Sequence, residues 1–241
     1  MPTEPSALVA GFDGCPKGWL GCLWLGPGHP PEAICLKSLG FAETVLPADT
    51  LAVAVDIPLG LLDVAVSGGR LCDQQARRHL GGRSSSVFSP PVRSALLAKD
   101  YVEACAINRR SGPEALGLSK QSFAIFPKLI DAKDAVNGSL WLRERLIEVH
   151  PELCFAMMAG TPLKNAKKRT AGKEERRHLL NESGFKNLAV FELAARQLGG
   201  STDDALDACV AAWSAWRYAE KAALCLQDGA QGPHFSMRIW Y

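Results

Sequence analysis

The sequence predicts an α/β protein built on one mixed five-stranded sheet, a three-strand meander plus parallel strands, flanked by helices and carrying a helical insertion. Three observations lead there. Short apolar runs crowd the first forty residues, ALVAGFD, WLGCLWLG and EAICLKSLGF, separated by the turn sequence GCPKG and by a Pro/Gly-rich break. LAVAV, residues 51–55, has no polar alternation and reads as a strand buried on both faces. Near the other end, an Ala-rich stretch from about 202 to 224 reads as one long packed helix.

Taken in order, FAETVLPADT forms a short helix between the meander and LAVAVD, so the first sixty residues read β-β-β-α-β. Residues 61–140 form the insertion, helical and loop-like in texture. Within it residues 71–80 form a helix, and GGRSSSVFSPP is loop on its Gly, Ser and Pro content. RLIEVHPE, residues 145–152, is the next strand, stopped by Pro151. From there to about residue 190 the chain is mostly helical and partly basic. The whole of 1–241 then makes a single domain.

Composition narrows the class without naming an activity. A chain of 241 residues with 47% hydrophobic and 22% charged residues is long enough for a sizeable core and ordinary for a soluble globular protein. A net charge of +2 selects no partner, so only local clustering of charge is informative. The longest apolar stretch, residues 51–66, is cut by Asp56 and Asp63, which argues against a membrane span. No C-x-x-C pair exists among the eight cysteines, and most sit in apolar settings such as LGCLWLG and LDACVAAW. A disulfide framework or zinc site is therefore not expected, and a cytoplasmic location is.

The carboxylates are the specific feature. Asp13 ends the first strand, Asp56 ends the fourth and Glu148 lies near the end of the fifth. Neighbouring parallel strands would bring the three to one sheet edge, the edge where open α/β sheets form their sites. In TDDALDACVAAW, Asp204 and Asp207 are three apart on one helix face, and Ala208 and Ala211 continue that face with small side chains. Such a face lets the helix lie close to the sheet and deliver both acids to the strand ends. Converging carboxylates repel one another unless cations hold them. Hard oxygen donors suit Mg²⁺ or Mn²⁺, and a pair of such ions can clamp attacking and leaving oxygens in phosphodiester cleavage.

This order, with an Asp on the first strand, an acid after the fourth and D-x-x-D in the closing helix, resembles the ribonuclease H-like superfamily, distantly the Holliday-junction resolvases. AGFDGCPKGW, AVDIPLGL, GRLCDQQARRHLG, VFSPPVR, IEVHPELCF and DDALDACVAAW together look like domain-of-unknown-function family 429, described as predicted nucleases of that fold. The likeness covers nearly the whole chain. It implies a ribonuclease H-like fold in which Asp13, Asp56, Asp204 and Asp207 match the metal-binding acids, with Glu148 belonging to the family pattern and not to the resolvase one. Two departures stand out: Asp56 replaces a resolvase glutamate, and no acid matches the one on the first helix of ribonuclease H proper.

Each residue also has a plainer explanation. Asp56 can cap the turn before IPLGL, and Asp203 and Asp204 suit a first helical turn through the helix dipole. Glu148 can join a structural ion pair, and His150 beside it can be a hydrogen-bonded structural histidine. Arg70, Asp73 and Arg77 share a helix face, either as an internal bridge or as arginines that grip a phosphate. Arg83 and Phe88 lie in a loop that reads as a mobile lid or as an anchored connection. In KNAKKRTAGKEERR, Lys167 and Lys168 precede a turn and are best placed of the run to meet phosphate; Lys17 follows Asp13 in the first turn and is a further candidate. Asp13-Gly14 also fits the phosphate turn of actin-like sugar kinases, although 241 residues leave no room for their duplicated domain.

The expectation is a divalent-metal-dependent nuclease, with catalytic and metal-binding Asp13, Asp56, Glu148, Asp204 and Asp207 and substrate-binding Lys17, Arg70, Arg77, Arg83, Lys167 and Lys168. Nucleic acid is the expected partner, and a homodimer is left open. A non-catalytic module that binds nucleic acid or nucleotide, or an enzyme of phosphoryl transfer or hydrolysis on a small nucleotide, are the alternatives.

Overall fold

The computed structural model describes residues 8–227 and 237–241. Strands β1 (Val9–Cys15), β2 (Gly18–Trp24) and β3 (Glu32–Leu36) form the meander, and a short helix α1 (Ala42–Val45) leads into β4 (Ala52–Val55). The chain then makes helices α2 (Leu71–Leu80), α3 (Tyr101–Arg110), α4 (Lys120–Ala124), α5 (Phe126–Gly138) and α6 (Leu140–Arg145) before returning as β5 (Leu146–Glu148). Four helices close the fold: α7 (Pro151–Ala159), α8 (Thr170–Glu182), α9 (Leu188–Leu198) and α10 (Thr202–Ala219). A two-stranded ribbon, β6 (Cys225–Gln227) with β7 (Arg238–Trp240), follows them.

The five-stranded sheet runs β3-β2-β1-β4-β5, with β1, β4 and β5 parallel and β2 antiparallel to both of its neighbours. This is a mixed α/β sheet flanked by helices, consistent with the ribonuclease H-like fold. Three strand ends of like direction therefore stand side by side. Residues 56–145, between β4 and β5, are helix and loop, as the texture of 61–140 predicts.

Alternation along the strands divides the core in two. Val9, Ala52, Ala54 and Ile147 face one cluster, packed by the alanines of α10, while Ala10, Phe12, Val53, Val55 and Leu146 face the other, packed by α5. The approach of α10 is set by Gly11: a Cβ there would stand 2.1 Å from the backbone N of Ala212 and 2.4 Å from the Ala208 carbonyl oxygen. Glycine in the strand and alanine in the helix let the two backbones touch, as the small-residue face of TDDALDACVAAW predicts.

Several boundaries differ from expectation. α10 ends at Ala219 and not near 224, and Lys221 takes a left-handed φ of 59° just beyond it. β5 is only three residues long, because Pro151 starts α7 with His150 as its N-cap. GGRSSS folds as a 3₁₀ turn over Gly81–Ser86. The β6–β7 ribbon has no counterpart in the sequence reading.

Candidate active site

Asp13 and Asp56 are brought together by register. Phe12 pairs with Val55, and the Asp56 backbone N–H donates to the Phe12 carbonyl at 3.0 Å, so the two aspartates leave adjacent parallel strands at the same level. Both continue the alternation that points Gly11 and Ala54 towards α10. The Asp13 carboxylate accepts the Gly14 N–H at 2.8 Å. From α10, Asp207 enters the same space with its side chain almost fully buried.

Burial raises all three acids, and Asp207 adds to the shift of the other two. Burial first, then the charges of Asp207, Asp56 and Asp204, push Asp13 well above the usual carboxylate range. Asp56 is pushed up to about 7, by burial first and Asp207 next. Burial also raises Asp207, against the pull of Lys167, whose ammonium lies 2.8 Å from its Oδ2. Burial lowers the pKa of that lysine, yet Asp207, Asp56 and Asp13 together outweigh burial and hold its proton more tightly than usual. Lys167 is thus the countercharge of the whole cluster.

Asp204 sits at the rim. Its Oδ2 accepts the Ser201 N–H at 2.8 Å while the Ser201 hydroxyl accepts the Asp204 N–H, a reciprocal cap that starts α10. Its charge still reaches Asp13. Asp203 pairs with Lys173 at 3.1 Å, in keeping with the plain helix-start explanation.

Glu148 lines the same cavity as Asp13 and Asp56 but reaches it from the other face of the sheet, where Arg70 holds it. It pairs in register with Val55, so it faces the opposite side of the sheet from Asp13 and Asp56. There its oxygens accept from Arg70 at 2.5 and 2.9 Å and from the Leu59 N–H at 2.8 Å. Burial raises the Glu148 carboxyl, while Arg70 opposes it. The same guanidinium holds Asp73, at 2.7 and 2.9 Å, and the Gly60 carbonyl, so Arg70 has no donors left for substrate.

The other basic candidates separate in the same way. Arg77 donates to the carbonyls of Val87 and Gly68 and to the Ser89 hydroxyl. Arg83 donates to the Leu163 and Lys164 carbonyls. Both tie the 81–89 segment down, which corrects their reading as phosphate ligands and makes that segment a fixed strap. Lys17 has its methylenes over Gly199 and does not line the cavity of Asp13 and Asp56. Lys168 remains exposed on the wall of the cavity that the acids line.

That cavity has a volume of about 620 Å³. Its lining includes Asp13, Asp56, Glu152 and Lys167, the buried Arg70, Asp73 and Glu148, the strap residues Ser85–Phe88, and Gln121, Ile125 and Lys128. Two of its residues were missed by sequence reasoning. Glu152 occupies the first turn of α7, paired with the buried Arg176, and its charge raises both Asp56 and Asp207. The signal was present: Pro at a helix start directly after a parallel strand aims the next residues at the sheet edge. Lys128, from α5, donates to the Gly18 carbonyl and lies 4.7 Å above the Trp19 ring, with nothing local in sequence to mark it.

A match to the family model described as protein of unknown function (DUF429) spans residues 11–231. The chain belongs to this family. No curated protein and no solved structure matches the chain. The matched DUF429 segment runs from Gly11 past α10 and so contains every acid of the cluster. Among the described residues, no three His, Cys, Asp or Glu side chains already surround one point as ligands of a metal ion. The donors nevertheless fit a hard divalent cation in kind: they are carboxylate oxygens, mutually repelling and neutralised from the position of Lys167. No helix among the described residues is long and apolar enough to cross a membrane.

Proposed function

We propose that this DUF429 protein hydrolyses phosphodiester bonds of nucleic acid with the help of divalent metal ions, Mg²⁺ or Mn²⁺. One observation carries the reading: Asp13 and Asp56 leave adjacent parallel strands at one level, buried beside Asp207, whose charge adds to burial in raising both of their pKa values. Carboxylates so perturbed in a cleft at a sheet edge mark a functional-site candidate, and a bound cation would relieve their repulsion.

Asp13, Asp56 and Asp207 would hold the metal, with Asp204 and Glu152 within electrostatic reach. A divalent ion bound there polarises a phosphoryl oxygen and lowers the pKa of water. Lys167, paired with Asp207 in this structure, would meet the phosphate as a point charge once a cation took its place on that carboxylate. Lys168 adds charge at the cavity wall. His150, held below its ordinary pKa by burial and 3.4 Å from the Ser86 carbonyl, stays neutral and keeps the strap against the site. A cytoplasmic location belongs to the same reading and rests on the apolar settings of the cysteines.

A second reading, a nucleotide- or nucleic-acid-binding module without catalysis, is favoured by the Lys167–Asp207 pair, which neutralises the cluster without metal. Calorimetric titration with Mn²⁺, together with cleavage assays on single-stranded, duplex, hybrid and branched substrates, separates the two. Metal binding and cleavage that both vanish in Asp13→Asn support the hydrolase. Binding of nucleic acid with neither metal uptake nor cleavage supports the module.

A further inference from the structure

We infer that the site takes a single unpaired nucleotide at the end of a strand and excludes a phosphodiester inside a duplex, an inference that rests on the hydrolase reading above. The cavity is ringed. Arg83 joins the strap to the 163–164 backbone on one side. Ser86 meets His150 beyond β5, and the Ser122 hydroxyl of α4 donates to the Ser89 carbonyl at 2.8 Å on the far side. Arg77 holds the strap from below through Val87 and Ser89. A duplex laid across this ring cannot lower one backbone to the acids without breaking several of these bonds, whereas one splayed nucleotide passes inside it.

The volume of the cavity agrees. About 620 Å³ lies in the range of roughly 300–1,000 Å³ typical of pockets that bury a small molecule, and the cavity opens to solvent on one side. Its lining is of two kinds: carboxylates and Lys167, and the apolar Phe88 and Ile125, with the exposed Gln121 amide also on the wall. Phosphate goes to the first kind, and a base stacks on the second, where Phe88 offers a face to any of the four bases.

The rest of the strand also has a path. A second cavity of about 550 Å³ shares Arg83 and Ala166 with the first and is lined by Lys164 and Arg169. Phosphates following the reacting one would lie on that basic surface, outside the strap. Hydrolysis of the bond joining the held nucleotide to the strand consumes one water. It releases one mononucleotide and leaves a strand shortened by one unit, with the phosphate on one product and a hydroxyl on the other.

The test uses the full chain with four probes of one sequence: a linear single-stranded oligonucleotide, the same strand circularised, its blunt duplex, and the isolated mononucleotide. In Mn²⁺ the linear strand should yield mononucleotides progressively, while circle and duplex stay intact. Cleavage of the circle at a comparable rate overturns the inference and leaves the hydrolase reading standing. Absence of hydrolysis on every probe counts against the hydrolase reading instead, and the inference is then decided by binding measured through fluorescence anisotropy in EDTA. There the linear strand should bind at least tenfold tighter than circle or duplex, with the mononucleotide competing for it, and equal affinities overturn the inference. Phe88→Ala should weaken the linear strand about tenfold and leave the weak binding of the circle unchanged, with Phe88→Tyr restoring it; loss of binding to all probes alike in Phe88→Ala, unrestored by Phe88→Tyr, overturns the stacking role.

Discussion

The Lys167 ammonium stands 2.8 Å from Asp207 Oδ2 and is the cation against which Asp13, Asp56 and Asp207 are balanced. Replacing it by methionine leaves three acids with no countercharge. Breaking a fully buried pair costs about 3–5 kcal/mol, but the lysine side chain is 42% exposed, which reduces this to about 1–2 kcal/mol. Lys167→Met is therefore expected to lower Tm in EDTA by several degrees. Mn²⁺ should then raise the Tm of the variant more than that of the parent, because the ion no longer competes with an ammonium. Equal metal-induced shifts in the two proteins would remove Lys167 from the cluster's charge balance.

The pH dependence of the metal-free protein follows from Asp56. Its carboxyl titrates near 7 in the folded chain and near 4 when unfolded, so between those values the folded state binds more protons. The associated stability is complete below about pH 4 and is lost as pH rises through about 7. Asp13 and Asp207 are shifted in the same direction. Asp56→Asn, which cannot ionise, should raise Tm at pH 8 by a few degrees in EDTA and flatten the decline between pH 4 and 7. Melting curves of parent and variant across that range measure the difference, and a variant whose Tm falls in parallel with the parent's contradicts the assignment.

Glu148 and Arg70 form a different kind of pair, buried on both sides and shared with Asp73. Removing one partner strands the others in a place where water cannot reach them, so Glu148→Ala and Arg70→Ala should each cost about 3–5 kcal/mol. Mn²⁺ affinity of the Glu148 variant, measured below its lowered Tm, should match that of the parent. A stable variant with weakened metal binding would return Glu148 to the metal site.

The contrast between Asp56 and Glu148 marks how far the residues alone reach. Asp13 and Asp56 were legible because each ends an apolar run whose length fixes the direction of the strand, and Asp207 because Ala208 and Ala211 reveal a helix face that must touch something. The face on which Glu148 lies was missed because β5 has only three residues, too few for the alternation to reveal its phase, and one step of phase moves a side chain to the other face. The arginines misled for another reason. Arg77 and Arg83 are satisfied by backbone carbonyls, which every residue possesses and no motif records. Lys167 was singled out for phosphate, whereas its ion pair with Asp207 joins residues forty apart along the chain.

Gly11 links the fold to the chemistry most directly. It is the point of β1 on which α10 rests, with the Ala212 N and Ala208 O where a methyl group would have to go. Gly11→Ala forces helix and strand apart by backbone contact that no rotamer can relieve, at a cost of about 1–3 kcal/mol for overpacking, and displaces Asp207, which rides on the same helix turn. The expected result is a lowered Tm together with Mn²⁺ affinity reduced by about tenfold or more in the molecules that remain folded. A control, Gly138→Ala at the exposed end of α5 where nothing lies within 4 Å of the added methyl, should change neither quantity. Retention of full metal affinity in Gly11→Ala would mean that the acids do not depend on the close seating of α10 over β1.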